Sequence, residues 1–296
     1  IDIKNGHAIA FGTKEYWYYL ARAKYFVNNV NFEEVERIKR PEQIEVQTMH
    51  GTPLKKMGFD VTADWKSSGY QRYLKKNRNW DYLTVPSDYV AKIAAQAYLH
   101  EATVLNVGYP RNDMLVQAAG TNRSAELKQK MGISANKRVV LYAPTWRKRG
   151  EVKLELDYQH LAANLPEDTL VVIKPHHLNT VIEFEPITGK VVLADENFTI
   201  DDYYLVADVM ITDYSSTMFD YALLKKPMIF YVYDYETYAL SRGLNFDFEA
   251  DAPGPLVYNQ EEMETALKQY NRISNRYASQ IKVFNEKFMQ YDDGHA

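Results

Sequence analysis

The feature that most constrains the fold is a series of short aliphatic segments in the second half of the chain. Val139–Tyr142, Leu170–Ile173, Val191–Leu193, Val209–Ile211 and Met228–Tyr231 are rich in Val, Ile and Leu. Uncharged runs this short read as strands covered on both faces, as in a parallel sheet. Helical patterns at Tyr158–Asn164, Asp201–Val206 and Ser216–Leu224 fall between them. This strand–helix–strand rhythm predicts an open, doubly wound α/β sheet. Residues from Glu261 to about Tyr291 read as one or two closing helices.

The first half repeats the rhythm less clearly. Strands are expected at Lys24–Asn29, Ile44–Thr48, Tyr82–Val85 and Thr103–Val107. A helix over Asp88–Leu99 has Ser87 as its N-cap, and one over Thr121–Met131 is closed by Gly132. At 296 residues the chain is long enough for about two domains. They are expected at 1–120 and 121–296.

Composition removes several classes. Hydrophobic residues make up 46% and charged residues 25%, ordinary for a globular chain and unlike disorder. No uncharged apolar run approaches the roughly 18 residues of a membrane span, and Ile1–Phe11 lacks a signal-peptide layout. The absence of cysteine excludes disulfides, thiolate metal sites and cysteine nucleophiles. It fits a reducing, cytoplasmic setting.

Charge is divided unevenly. Residues 1–135 hold 19 Lys/Arg against 14 Asp/Glu, whereas 136–296 hold 16 against 25. A basic first half suits an anionic partner, and chance asymmetry is the plain alternative. Trp65 to Trp80 concentrates Lys66, Arg72, Lys75, Lys76 and Arg78 without an acid, interleaved with Tyr70, Tyr73 and Leu74. Rings beside cations suit a membrane interface or stacking on single-stranded nucleic acid. A solvated helix with its rings packed on the core is the third reading.

Ligands in doubly wound sheets bind at the carboxyl ends of strands, so the residues that follow each strand carry the functional argument. After Ile44–Thr48 comes Met49-His50-Gly51-Thr52-Pro53. A histidine on such a turn can act as a general base near neutral pH, or simply be hydrogen-bonded within the domain. After Val139–Tyr142 comes Ala143-Pro144-Thr145-Trp146-Arg147-Lys148-Arg149, where adjacent cations suit a phosphate or a solvated turn. Lys174-Pro175-His176-His177 follows the next strand. Thr212-Asp213-Tyr214-Ser215-Ser216-Thr217 then opens a helix containing Asp220. Hydroxyls and free backbone N–H groups there can cap the helix, bind an anion, or do both.

Together these strand ends suit a phosphate-containing donor. The G-x-S-x-G elbow of hydrolases, the P-loop and the G-x-G-x-x-G fingerprint are all absent. No H-E-x-x-H spacing supports a metal, and no cofactor is implied.

Thr48-Met49-His50-Gly51-Thr52-Pro53-Leu54-Lys55 resembles the signature turn of the CDP-glycerol glycerophosphotransferases, the teichoic acid polymerases and primases. Gly108-Tyr109-Pro110-Arg111-Asn112-Asp113, Ala143-Pro144-Thr145-Trp146-Arg147, Thr212-Asp213-Tyr214-Ser215-Ser216, Asp220 and Lys226-Pro227 also resemble that family, in its order, from about Tyr16 to His295. The resemblance implies two Rossmann-like domains facing a cleft, the glycosyltransferase B type. It implies transfer of a polyol phosphate from a CDP-linked donor to a lipid-linked polyol phosphate acceptor, with CMP leaving.

His50 would then be the general base, and His176 would stabilise charge or protonate the leaving CMP. Gly51, Thr52, Arg111, Asp113, Thr145, Arg147, Asp213, Ser215, Ser216 and Asp220 become substrate-binding candidates. Trp65, Lys75, Lys76 and Arg78 become candidates for contact with an anionic membrane surface, placing the protein peripherally on the cytoplasmic face. Nucleic acid is not expected as a partner, and homo-oligomerisation is left open. CDP-ribitol, primer addition and capsule synthesis are variants of the same chemistry. A nucleotide-sugar glycosyltransferase and a non-catalytic binding module are the competing classes.

Against the family pattern the chain begins partway through the N-terminal domain, which is expected to be incomplete. It stops at Asp293–Ala296, where a further closing helix is expected. It also has two histidines at His176-His177 where one is usual.

Overall fold

A computed structural model of the chain describes residues 6–31, 39–61, 66–145, 154–175 and 184–296. The first sheet holds β1 (Tyr25–Asn28), β2 (Ile44–Gln47), β3 (Tyr82–Thr84) and β4 (Thr103–Leu105), all parallel and in that order. It is accompanied by α1 (Lys14–Arg22), α2 (Ser68–Asn77) and α3 (Asp88–Tyr98). The Ser87 hydroxyl accepts from Val90 N–H at 3.2 Å and starts α3 where the sequence predicts. Short helices α4 (Asp113–Ala118) and α5 (Arg123–Lys130) lead into the second half.

The second sheet contains β5 (Arg138–Ala143), β6 (Thr169–Ile173), β7 (Val191–Leu193), β8 (Val209–Thr212), β9 (Met228–Tyr231) and β10 (Leu256–Val257). Its order is β10-β9-β8-β5-β6-β7, every pair parallel. The chain runs outward from β5 through β6 to β7, then returns to β8 on the other side. The switch point therefore lies between β5 and β8, where a doubly wound sheet opens a ligand crevice. Every residue of β6, β8 and β9 is buried, which explains why these strands lack polar alternation.

Helices α6 (Tyr158–Asn164), α7 (Ile200–Val206), α8 (Thr217–Ala222), α9 (Tyr235–Arg242), α10 (Phe248–Asp251), α11 (Gln260–Lys268) and α12 (Tyr270–Phe288) complete the second half. The expected helix over Ser216–Leu224 is shorter, because Leu223, Leu224 and Lys225 bond three residues back and Lys225 turns to φ 55°. Lys226 Nζ donates to the carbonyls of Tyr204, Leu205 and Ala207 at 3.2, 2.8 and 2.7 Å, closing the end of α7. Burial pushes its pKa down to about 8.

One core ties α8 to α12. The Phe219 ring stacks on Phe284 at 5.2 Å, and Phe246 meets Phe288 at 4.8 Å. Each buried phenylalanine contributes about 1.5–3 kcal/mol, so α8 is held firmly on its inner side.

The aromatic stretch before Trp80 turns inward. Tyr70 and Tyr73 pack on Phe59, Tyr73 also meets Tyr98, and buried Trp80 donates to Asn31 Oδ1 at 3.0 Å. For these rings the third reading of the stretch, packing on the core, is the one the structure favours: an indole or phenol gains more by filling the core beneath α2. Trp65 lies outside the described residues. Exposed rings occur instead on α1 and β1, at Trp17, Tyr18, Tyr19 and Tyr25.

Candidate active site

The catalytic candidate sits where β2 ends. Met49 takes a left-handed φ of 55°, its N–H donating to the buried Gln47 side chain at 2.9 Å. This tight turn leaves His50 exposed. His50 Nδ1 lies 3.0 Å from the Asn29 carbonyl. A carbonyl oxygen only accepts, so Nδ1 carries the proton. With the proton on Nδ1, the neutral form of the ring has its lone pair on Nε2, the arrangement a general base needs.

The turn meets the second half immediately. A Cβ placed on Gly51 would lie 3.2 Å from Ser216 Oγ. Glycine thus lets the His50 turn approach the hydroxyl turn before α8. Thr52 is buried and donates to Met289 Sδ at 3.4 Å. The following residues are strapped to 243–245: Asn245 Nδ2 donates to the carbonyls of Pro53 and Lys55 at 2.8 and 3.0 Å. Lys55 Nζ sits 5.2 Å from the centre of the Tyr238 ring, which stacks on Tyr214 at 4.1 Å.

At the switch point, Asp213 follows β8 and Thr145 follows β5. The buried Asp213 carboxylate accepts from Thr145 N–H at 2.8 Å and from the Thr145 hydroxyl. Asp213 therefore builds the floor of the crevice by joining two strand ends. Ser215 Oγ accepts from Thr217 N–H at 3.3 Å, an ordinary turn bond. Ser216 makes no capping bond with its side chain. Both serines are half-exposed, Ser216 beside Gly51, and are available to an anion. Because α8 has only six residues, grip on an anion falls to these hydroxyls and the turn rather than to a long helix dipole.

Arg111 and Asp220 are brought together. Arg111 Nη1 and Nη2 donate to Asp220 Oδ2 and Oδ1 at 2.7 and 2.6 Å, a bidentate pair reaching from the turn after β4 to α8. Asp220 holds the guanidinium further toward its charged form. Asp113 lies apart from the crevice, with Oδ1 accepting from Ala296 N–H at 3.1 Å. Lys75 and Arg78 project from α2 and its end into solvent, with Arg78 3.1 Å from Glu101, while Lys76 is half-buried. His176 and Arg147 lie outside the described residues. Among the described residues, no group of three or more His, Asp or Glu could hold a metal, and no helix is long and apolar enough to cross a membrane.

Two acids had no signal in the sequence. Asp201 and Asp292 surround the Arg111–Asp220 pair, and burial is the main cause pushing each up to about 6. Asp292 Oδ1 accepts from Tyr109 N–H at 2.9 Å and Asn112 Nδ2 at 3.0 Å, while Oδ2 is buried without a partner among the described residues. Its ordinary pKa is 3.8, below the folded value of about 6. The contribution of this group to stability is therefore full below about pH 4 and is lost as pH rises through about 6. Asp292→Asn keeps a carbonyl oxygen for both donors and removes the charge. It should raise stability by about 2 kcal/mol at about pH 7.5 and by about a third of that at about pH 4.5. Urea unfolding at the two pH values checks this; equal effects at both would refute the buried-charge account.

The model of the family described as "CDP-Glycerol:Poly(glycerophosphate) glycerophosphotransferase" matches residues 1–296. The chain is 35% identical to a teichoic acid glycerol-phosphate transferase of Staphylococcus aureus over 87% of its own length and 70% of that protein's. It is 36% identical to a teichoic acid poly(glycerol phosphate) polymerase of Bacillus subtilis, over 93% of this chain but only 39% of that protein. The solved wall teichoic acid polymerase TagF superposes with a TM-score of 0.88 at 28% identity, covering 97% of this chain and 73% of that one. That likeness places the two parallel sheets in a glycosyltransferase-B-like α/β fold. With strand-end motifs and matched length in agreement, the chain belongs to the CDP-glycerol:poly(glycerophosphate) glycerophosphotransferase family.

Proposed function

We propose that the chain transfers glycerol phosphate from CDP-glycerol to the terminal hydroxyl of a lipid-linked poly(glycerol phosphate) chain, releasing CMP. The observation that carries this reading is the contact of the His50–Gly51 turn with Ser216. It sets a base on one sheet beside an anion-binding turn on the other. His50 Nε2 takes the proton of the acceptor hydroxyl as its oxygen attacks the glycerol-bearing phosphorus. The bond from that phosphorus to the CMP oxygen breaks.

Ser215 and Ser216 hold phosphate oxygens, and Asp213, which takes both the N–H and the hydroxyl of Thr145, fixes the strand end beside them. Arg147 and His176 are assigned to the pyrophosphate by the family resemblance, with His176 balancing charge on CMP. Positioning and charge stabilisation account for most of the rate. Acceptor binding belongs to residues 1–120 and donor binding to 121–296 in this proposal. The test is release of CMP from CDP-glycerol with and without a lipid-linked glycerol phosphate primer. Primer-dependent release is expected. Release only from CDP-ribitol would move the assignment to that donor, and release of UDP from a UDP-sugar would replace it with sugar transfer.

The lipid-linked acceptor places the reaction at the cytoplasmic membrane face, and the exposed cations around Lys75 suit attachment there. Near an anionic surface each Lys or Arg contributes about 1 kcal/mol. The triple variant Lys75→Glu, Lys76→Glu, Arg78→Glu should lose at least about tenfold in binding to phosphatidylglycerol vesicles. Sedimentation with vesicles measures it, and unchanged binding removes this surface from the proposal.

A further inference from the structure

We propose that Arg111 and Asp220 are positioning residues: their bidentate pair locks α8 so that the Ser215–Thr217 turn stays against the His50 turn, and neither side chain touches substrate. The inference rests on the transfer reaction proposed above for what is positioned. It departs from the reading of both residues as donor contacts.

The geometry is that of one helix face held at two points. Ser216 and Asp220 are four residues apart and share a face of α8. Ser216 meets Gly51 after β2, and Asp220 meets Arg111 after β4. Both docking points on the first sheet are strand ends, so the latch aligns the carboxyl edge of one sheet with the switch point of the other. The Arg111 fork is already committed, because both terminal nitrogens are directed at the two Asp220 oxygens. Its Nε–H is buried, so the other edge of the guanidinium, Nε with Nη2, is closed to a diphosphate in this packing.

The turn bearing Arg111 is itself fixed. Asp292 accepts from Tyr109 and Asn112 on either side of it. Gly108, at φ 84°, lies where a Cβ would come within 2.6 Å of the Tyr291 carbonyl. The guanidinium also sits 5.1 Å from the centre of the Tyr109 ring. Asp220 is buried and Arg111 half-buried, and losing half of such a pair leaves an unpaired charge in a mostly dry contact.

The test uses Asp220→Asn and the double variant Arg111→Met/Asp220→Leu. The double variant removes both charges together and should fold even if the single change does not. Three readings are taken on each: kcat, the Kd for CDP-glycerol by calorimetry, and closure of a disulfide between Gly51→Cys and Ser216→Cys. The chain has no native cysteine to interfere. The built Cβ at Gly51 lies 3.6 Å from Ser216 Cβ, within the span of a disulfide.

Both variants should lose about 10²-fold in kcat, as expected for a misplacement of about 1 Å. Their Kd should stay within about twofold, and the cysteine pair should close at least about tenfold more slowly than in the otherwise unaltered chain. A rise in Kd of about tenfold or more would make the pair a donor contact and overturn the proposal. So would full kcat in the folded double variant. If the unaltered chain releases no CMP from CDP-glycerol, the transfer reading fails by itself. Disulfide closure still decides the latch: slower closure in the variants supports it and unchanged closure overturns it.

Discussion

Replacing His50 with alanine should lower primer-dependent CMP release by about 10²–10⁴-fold, the range for loss of a general base. Folding should survive, because the side chain is exposed and, among the described residues, makes one hydrogen bond, to the Asn29 carbonyl. The change in stability should stay within about 1 kcal/mol. Steady-state CMP release, paired with urea unfolding of the same variant, separates catalysis from folding. Activity within about threefold of the unaltered chain would remove His50 as the base. The same assay on His176→Ala examines the second histidine.

Asp213→Ala should cost about 2–4 kcal/mol and weaken CDP-glycerol binding at least about tenfold. The substitution removes the buried acceptor for both the backbone and hydroxyl donors of Thr145. Two strand ends at the switch point then lose their cross-link, and the crevice floor loosens. Asp213→Asn retains one carbonyl oxygen and should recover most of the loss. Unfolding curves and calorimetric titration with CDP-glycerol measure the two effects. Wild-type affinity in a folded Asp213→Ala protein would show that this floor does not shape the donor site.

Much of this organisation was readable in the sequence because its causes are local. Strands β5 to β9 begin and end within about one residue of the aliphatic runs, since burial on both faces of β5, β6, β8 and β9 leaves no polar residue between their ends. Ser87, as the start of α3, was readable from its short hydroxyl side chain. Helix α1 was missed although its apolar residues gather on one face; none of them is buried. Strand β10 has only two residues, too few to show a pattern. The basic aromatic stretch was ambiguous because a ring beside a cation has the same spacing whether it faces lipid or the core. Tyr73 and Trp80 face the core because Phe59, Tyr98 and Asn31, distant in sequence, form the walls around them.

The site divides in the same way. The sequence alone determined which residues stand at strand ends: His50, Thr145, Asp213, Ser215 and Ser216. Parallel sheets are built from local burial patterns and turn chemistry, and their ligands gather at that edge. Only the tertiary structure decided which of these ends face one another. It set Gly51 on Ser216, closed Arg111 onto Asp220 across 109 positions of chain, and brought Asp292 back beneath Tyr109. It also withdrew Asp113 to the end of the chain. No local pattern encodes these meetings, because they depend on how two sheets are held together by the phenylalanine core of α8 and α12 and the straps from Asn245.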